Sequence, residues 1–297
     1  MTAPELSVVV TTTHSWPAVE ACLERLVPQT FALGAELILA DASEQGLPDP
    51  CPESYRHVRW LRAPGASVFE LRALATAAAG GGIIAWTEDH CLVNSDWCRR
   101  HLAAHREKPG MTAVAGAVVN GSTGCRLDWA NYFLTNGQFL PPIGARRITR
   151  APGVANVSFW RWTNHGASVE PGWVELVLQP RLLAAGRIVF DDRLQVTHVQ
   201  SHGMIDTCAA HFHNGRSTAG LAAQRMTRVS RLFRLPFRFL MPVVMVFSGG
   251  RVPVQTPGFR RLLVASLPWM SWLAVCHSAG QIAGLVAGAG SSPRRIE

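Results

Sequence analysis

The chain has 297 residues, which is enough for one full core and an appendage beside it. Hydrophobic residues make up 48% and charged residues only 16%, a low charged share that leaves apolar surface to meet something other than water. The net charge of +8, carried almost wholly by arginine, suits phosphorylated ligands, nucleic acid or an anionic membrane face without choosing among them. The seven cysteines (Cys22, Cys51, Cys91, Cys98, Cys125, Cys208 and Cys276) are odd in number and contain no C-x-x-C pair. In a chain this long they exclude a disulfide-stapled scaffold and read as reduced thiols of a cytosolic domain.

The first element, "ELSVVVTTTHSW", reads as a short, fully apolar strand ending in hydroxyls. Its Val8–Val10 run lacks a basic flank and is too short for a secretory leader or a span. "PAVEACLERLVPQ" follows with helical spacing, Val19, Cys22, Leu23 and Leu26 sharing a face. "AELILADAS" is a second buried strand stopping at Asp41, and "HVRWLRAP" a third. "SVFELRALATAAAGG" is an Ala-rich helix closed by glycines, and "GIIAWTEDH" a fourth strand. Residues 7 to 90 thus alternate strand and helix as βαβ units do, which predicts an α/β fold with a doubly wound, mostly parallel sheet. Ligands of such sheets bind beyond the carboxyl ends of the strands. Thr11, Thr12 and Thr13, Asp41, and Glu88-Asp89-His90 all fall at such ends.

"NSDWCRRHLAAHREKPG" is a helix with Asn94 or Ser95 as its N-cap, and "MTAVAGAVVNG" another apolar strand. Residues 120 to 152, rich in Gly, Pro and Arg, read as an irregular, mobile loop region. "ANVSFWRW" is a strand. The next segment gives a helix closed by Gly186, then two strands, the second leading to His198. Pro180 is expected to kink that helix or mark its first turn.

After residue 203 the character changes. Arg225, Arg228, Arg231, Arg234 and Arg238 recur every three or four positions among apolar residues, a basic amphipathic helix that fits a membrane surface. Leu262 to Ser292 holds no Lys, Arg, Asp or Glu. It is long enough for a span, which needs about 20 apolar residues, but Pro268, His277, Gln281 and several glycines equally fit a buried or interfacial helical hairpin.

Glu88-Asp89-His90 is either a solvated loop or a metal site. Carboxylates suit Mg²⁺ or Mn²⁺, and the imidazole tilts the choice toward Mn²⁺. A divalent ion there would neutralise a departing diphosphate. In "HFHNGRS", His211, His213 and Arg216 form a polar cluster; no Cys/His spacing supports zinc, and Arg216 is read as a phosphate contact.

In the order of its motifs, residues 5 to 205 resemble the family 2 glycosyltransferases of the GT-A fold. The family's opening strand matches "SVVVTTTHSW", and its Asp-Asp-Gly-Ser turn matches Asp41-Ala42-Ser43, with the second Asp replaced by Ala42. The family's Ala-Arg-Asn helix matches "ELRALA", its metal motif Glu88-Asp89-His90, and its donor-side strand "VANVSFWR". The resemblance implies a GT-A catalytic domain over 1–205 and a membrane-associated helical region over 206–297. It implies nucleotide contacts from Thr11, Thr13, Asp41, Arg72 and Glu88. It places Asn156, Ser158 and Trp173 at the donor or acceptor sugar, and a metal on Asp89, His90 and His198. Counted back from Ala185-Gly186, the family's catalytic Asp falls on Glu175, which becomes the general base; its acidic neighbour is replaced by Val174.

The implied activity is inverting transfer of a sugar from a nucleotide diphosphate, UDP first, to a glycan or lipid-linked hydroxyl. It would run with Mn²⁺ or Mg²⁺ at the cytoplasmic face of the cell membrane, with the tail lying on it or crossing it once or twice. The rival readings are a non-catalytic sugar-nucleotide-binding membrane subunit, motivated by the departures at Thr11, Ala42, Glu88, His90 and Val174, and a nucleotidyltransferase. The latter lacks its Gly-rich phosphate loop in "TTTHSWPAVE". No aromatic stacking platform supports a nucleic-acid partner.

Overall fold

In a computed structural model of the chain, residues 3–14, 16, 18–46, 52–143, 153–164, 169–186 and 188–296 are described. They divide into two compact units: Met1–Val119 with Pro141–Val199, and Asn120–Leu140 with Gln200–Ile296.

The first unit is built on an eight-stranded sheet. β1 (Leu6–Thr12) is buried at every position, as an apolar strand covered on both faces must be. α1 (Glu20–Leu33) turns Cys22, Leu23 and Leu26 inward, and Val19 just before it is buried too. There follow β2 (Glu36–Asp41), β3 (Val58–Arg62), α2 (Val68–Ala78), β4 (Ile83–Glu88), β5 (Cys91–Val93), α3 (Trp97–Glu107), β6 (Ala113–Asn120), β7 (Val157–Trp160), α5 (Gln179–Ala184) and β8 (Ile188–His198). The strand order is β3-β2-β1-β4-β7-β6-β8-β5. β1 to β4 are mutually parallel, as the βαβ spacing predicts. Beyond them the sheet is mixed, with β7 antiparallel to β4 and β6, and β5 antiparallel to β8. Register decides what meets at the strand ends: Thr11 lies opposite Glu88, and Thr12 opposite Asp41.

α2 starts from a capping box. Ser67 accepts from the Glu70 amide, and the Glu70 carboxylate accepts from the Ser67 amide at 2.7 Å. α3 differs from the expectation of an Asn94 or Ser95 cap. Asp96 precedes it without a side-chain cap bond and instead takes Arg100 Nε at 2.6 Å, a turn further on. β8 is one strand where two are predicted. Its acids do not break the ladder because each has a partner: Asp191 has Arg193, two residues on, at 2.7 Å, and Asp192 has the amide of the distant Ile143 at 2.5 Å. Before α5, Val174–Leu178 forms a π-helical turn that runs straight into it, and Pro180 sits in the first turn of α5.

The second unit is helical: α4 (Arg126–Asn136), α6 (Met204–Gln224), α7 (Arg228–Arg238), α8 (Met241–Gly250) and α9 (Phe259–Ala287). α4 corrects the expectation of an irregular stretch over 120–152 for its own part of it; residues 144–152 lie outside the described ones. Its flanking glycines and prolines mask a turn-length apolar repeat, and Ala130, Tyr132, Phe133 and Leu134 are buried. α6 and α9 cross where glycines remove the side chains: a Cβ on Gly280 would lie 2.0 Å from the Phe212 carbonyl oxygen, and one on Gly215 2.1 Å from that of His277. Among the described residues α9 is long and apolar enough to cross a membrane by itself; α7 with Met241–Gln255 passes the same test only as a pair bent by 61°.

Candidate active site

The polar ends of β1, β4 and β8 converge in the first unit. Each strand delivers its groups as the apolar run gives way to hydrogen-bonding side chains. Glu88, His90, Cys91 and His198 each bring one ligand atom, all within 4.8 Å of one another. His90 and His198 face each other through their Nε2 atoms at 3.0 Å, with Glu88 Oε2 3.7 and 3.8 Å from the two rings. β5 makes this possible. It pairs Cys91 with His198 in antiparallel register and so folds His90 back over the end of β8.

Asp89 stands one bond behind this cluster. Its Oδ1 holds His90 Nδ1 at 2.7 Å; its Oδ2 accepts from Thr12 Oγ1 at 2.7 Å and meets His14 Nδ1 at 2.9 Å. Burial alone would raise its pKa, yet the bonds from His14, His90 and Thr12 win, and the carboxyl stays ionised well below the usual range. Burial works against a charge on His90, but the Asp89 bond and the nearby carboxylates raise its pKa overall. His198 is pulled down to about 4 by burial and then by the His90 charge, so it is the neutral partner of the pair.

Arg72, reaching in from α2, forks between two carboxylates: Glu88 Oε1 at 2.8 Å and Glu175 Oε1 at 2.9 Å. Glu175 lies in the π-helical turn. Its Oε2 is buried without a hydrogen-bond partner, and burial raises its pKa despite Arg72. A carboxylate with one oxygen held and the other open can take a proton.

A divalent cation fits these residues. Two imidazole nitrogens 3.0 Å apart, backed by a carboxylate, are within joint reach of an ion that bonds nitrogen at about 2.0–2.1 Å. Mn²⁺ and Mg²⁺ favour oxygen and nitrogen donors over sulfur, so of the four groups Glu88, His90 and His198 suit such an ion better than the fully buried Cys91.

The remaining expected site residues fall as follows. Asp41 is buried at the end of β2; its Oδ1 accepts from the Ser43 amide and its Oδ2 from Arg62, both at 2.7 Å. Thr11 is buried beside Glu88, and Thr13 is half-buried at the start of the following loop. Asn156 braces the sheet. Its Nδ2 donates to the Ala117 and Leu194 carbonyls at 2.9 and 3.0 Å, and its Oδ1 accepts from Trp97 Nε1 at 2.9 Å. Gly116 leaves room for this bridge, since a Cβ there would lie 2.3 Å from Asn156 Nδ2. Ser158 is fully buried between His101 Nδ1 at 2.7 Å and His105 Nε2 at 2.9 Å. Trp173 packs in the core with Val174 and Leu178. Arg216 belongs to the second unit, where its Nε donates to the Gly288 carbonyl at 3.2 Å; there His211 meets Asn131 at 3.0 Å and His213 meets Ser292 at 3.0 Å.

Sequence reasoning set Thr12 at a strand end without a role of its own and passed over His14, which with Thr12 holds Asp89, and Arg62, which holds Asp41. The signal for Thr12 was the strand's two-residue alternation, which gives it a different face from Thr11 and Thr13. Nothing local marks Arg62 as a partner of Asp41.

The mixed α/β sheet flanked by helices is the architecture of the GT-A glycosyltransferases. Residues 7–162 match the family described as glycosyl transferase family 2, and the chain belongs to that family. It is a glycosyltransferase. Solved structures share the fold at low identity. The mannosyltransferase PcManGT from Pyrobaculum calidifontis, in complex with GDP-Man and Mn²⁺, is 13% identical over 96% of this chain and 88% of its own, with a TM-score of 0.56. TarS 1-349 from S. aureus is 13% identical over 94% of this chain and 90% of its own, with a TM-score of 0.50. A mycobacterial protein is 15% identical over 75% of this chain and 74% of its own, with a TM-score of 0.53. No curated protein sequence matches.

Proposed function

We propose that the chain is an inverting, metal-dependent glycosyltransferase. It would move a sugar from a nucleotide diphosphate to a hydroxyl on a glycan or lipid-linked acceptor at the cytoplasmic face of the membrane. The observation that carries the reading is the link Arg72 makes between Glu88, in the donor set, and Glu175, whose second oxygen is open. The fold likeness to a mannosyltransferase solved with GDP-Man and Mn²⁺ supports a nucleotide-sugar donor and a divalent ion.

Glu88, His90 and His198 would hold Mn²⁺ or Mg²⁺, which when bound supplies charge for a departing diphosphate. Asp89, expected as a ligand, instead orients His90 and fixes which ring nitrogen faces the cluster. Glu175 Oε2 accepts the proton of the acceptor hydroxyl as that oxygen forms its bond to the anomeric carbon. The bond from that carbon to the diphosphate breaks with its electron pair going to the leaving group. Arg72 holds the other oxygen of Glu175 and keeps the open one in place. Asp41, with Arg62, and the threonines at the end of β1 line the nucleotide side of the same strand ends, and UDP is the first donor to try.

Calorimetric titration with UDP and GDP, with and without Mn²⁺, tests the reading, coupled to transfer assays on Glu175→Gln. Metal-dependent nucleotide binding is expected, and Glu175→Gln is expected to keep it while turnover falls by about 10²–10⁴-fold. Binding by neither nucleotide in the presence of metal sinks the proposal. Binding without any turnover in the unaltered chain returns the non-catalytic membrane subunit.

A further inference from the structure

α7 turns its apolar face outward. At 3.6 residues per turn Val229, Leu232, Phe233 and Phe237 share one side of the helix. Val229 is 77% exposed and Phe233 73%, and no residue of α7 is buried. The side turned to the rest of the second unit is the one carrying Leu235 and Arg238. Leu235 packs on the cluster of Ala219, Ala223 and Leu285. Arg238 donates to Gln281 Oε1 at 3.3 Å, and its carbonyl accepts from the Ser278 hydroxyl. The outward strip runs on through Phe239 and Leu240 into α8, where Val243 and Val244 are exposed and Phe247 is 76% exposed.

A helix amphipathic in this sense needs an apolar occupant on its outer face, because a continuous strip of this kind is costly in water. The charge chooses the occupant. Residues 207–296 contain no Asp, Glu or Lys, so arginine is their sole charged side chain. Arg228 and Arg234 are exposed at the margins of the strip. A second copy of this chain on the same strip would bring the two arginine rows together, and like charges oppose that pairing. An anionic lipid bilayer offers both halves of the match, an acyl boundary for the apolar strip and phosphates for the guanidiniums.

We propose that α7 and the start of α8 form an in-plane docking element for an anionic phospholipid surface, with Val229, Leu232, Phe233 and Phe237 entering the acyl boundary and Arg228 and Arg234 reaching the headgroup phosphates. The inference rests on the membrane part of the proposed function and on none of the transfer chemistry.

The test is hydrogen–deuterium exchange of the full chain, read over residues 228–247. It is run in solution, on phosphatidylcholine vesicles, and on phosphatidylcholine vesicles containing phosphatidylglycerol. Slowed exchange over this stretch is expected on the phosphatidylglycerol vesicles. Phe233→Asp with Phe237→Asp should abolish the slowing, even where α9 still holds the chain on lipid. Arg228→Gln and Arg234→Gln should each weaken vesicle affinity by about fivefold. These four side chains are exposed or at the margin, and an unaltered exchange pattern over α6 and α9 in solution shows that the variants remain folded. Exchange that is the same with and without vesicles overturns the proposal, as does equal slowing on neutral lipid. Slowing that grows with protein concentration in the absence of lipid assigns the strip to a second copy instead. Nucleotide titration of the same preparations is independent of the lipid result, so failure of the docking element and failure of the transfer reading are seen separately.

Discussion

Arg72 is buried between Glu88 and Glu175, and both carboxylates draw on its one guanidinium. The planar fork can hold the two at once, whereas a lysine ammonium is a single point of charge on a flexible stem. Arg72→Lys is therefore expected to leave the fold standing but lower kcat by about 10–100-fold and raise the donor KM with it, because it loosens both the proposed base Glu175 and Glu88 of the proposed metal set. Arg72→Ala leaves two buried acids without their cation, and its thermal melt should show a loss of about 3–5 kcal/mol. Asp89 gives a second residue-scale prediction. As Asp89→Asn it can still accept from Thr12 but no longer carries the charge that orients His90, so Mn²⁺ affinity measured by calorimetry should fall by about 10–100-fold. An unchanged affinity would return Asp89 to a place outside the metal's support.

Within the elements, α3 carries a buried titration. His101 and His105 are fully buried on either side of Ser158. Burial, with the neighbouring imidazole adding, pulls His101 down to about 3, and burial pulls His105 down to about 4. An unfolded histidine takes its proton near pH ~6.5, so on acidification the unfolded chain binds protons the folded one refuses, and stability falls as pH drops from ~6.5 toward ~4. At pH 5 each ring costs on the order of 2 kcal/mol. Melting temperatures taken between neutral pH and pH 5 should fall steeply. His105→Gln, whose amide can still meet Ser158, should remove its share of that slope, which His101, His198 and His211 carry with it; a slope unchanged in the variant would place the acid sensitivity elsewhere. The α6–α9 crossing makes the other prediction at this scale. Gly280→Leu has no room against the Phe212 carbonyl, and the variant should melt earlier or be recovered aggregated.

For the whole molecule, the two units divide the charge unevenly. Every acid of the candidate active site lies in the first, and arginine dominates the second. Binding of the chain to phosphatidylglycerol vesicles should weaken as salt is raised, since exposed charges are screened within about 10 Å at 0.1 M. Binding of a nucleotide diphosphate among the buried groups of the first unit should depend on salt far less. Comparing the two titrations at low and high ionic strength checks this.

The sequence by itself determined β1, β2 and β4, because a largely apolar run of strand length reads locally and needs no partner to be recognised. It also determined that hydroxyls, acids and a histidine end those strands, and that a basic amphipathic helix follows Arg225, although the helix itself starts only at Arg228. Glu88 and Asp89 show its limit: both acids read as strand-end groups, and the division proposed between them, Glu88 toward a metal and Asp89 toward His90, rests on which oxygen meets Thr12, His14 or His90 in space. Glu175 and His198 come to Glu88 only through Arg72 and through the antiparallel pairing of β5 on β8, contacts between segments far apart along the chain. Asn156 and Ser158 read as sugar contacts by resemblance, while the tertiary structure uses their polar groups to satisfy buried partners inside the sheet. α7 makes the same point in reverse, since its pattern fixes that one face is apolar, and only the packing of Leu235 and Arg238 onto the second unit decides that this face looks outward. Periodicity and strand-end chemistry are properties of neighbours in sequence; direction, pairing and burial are properties of neighbours in space.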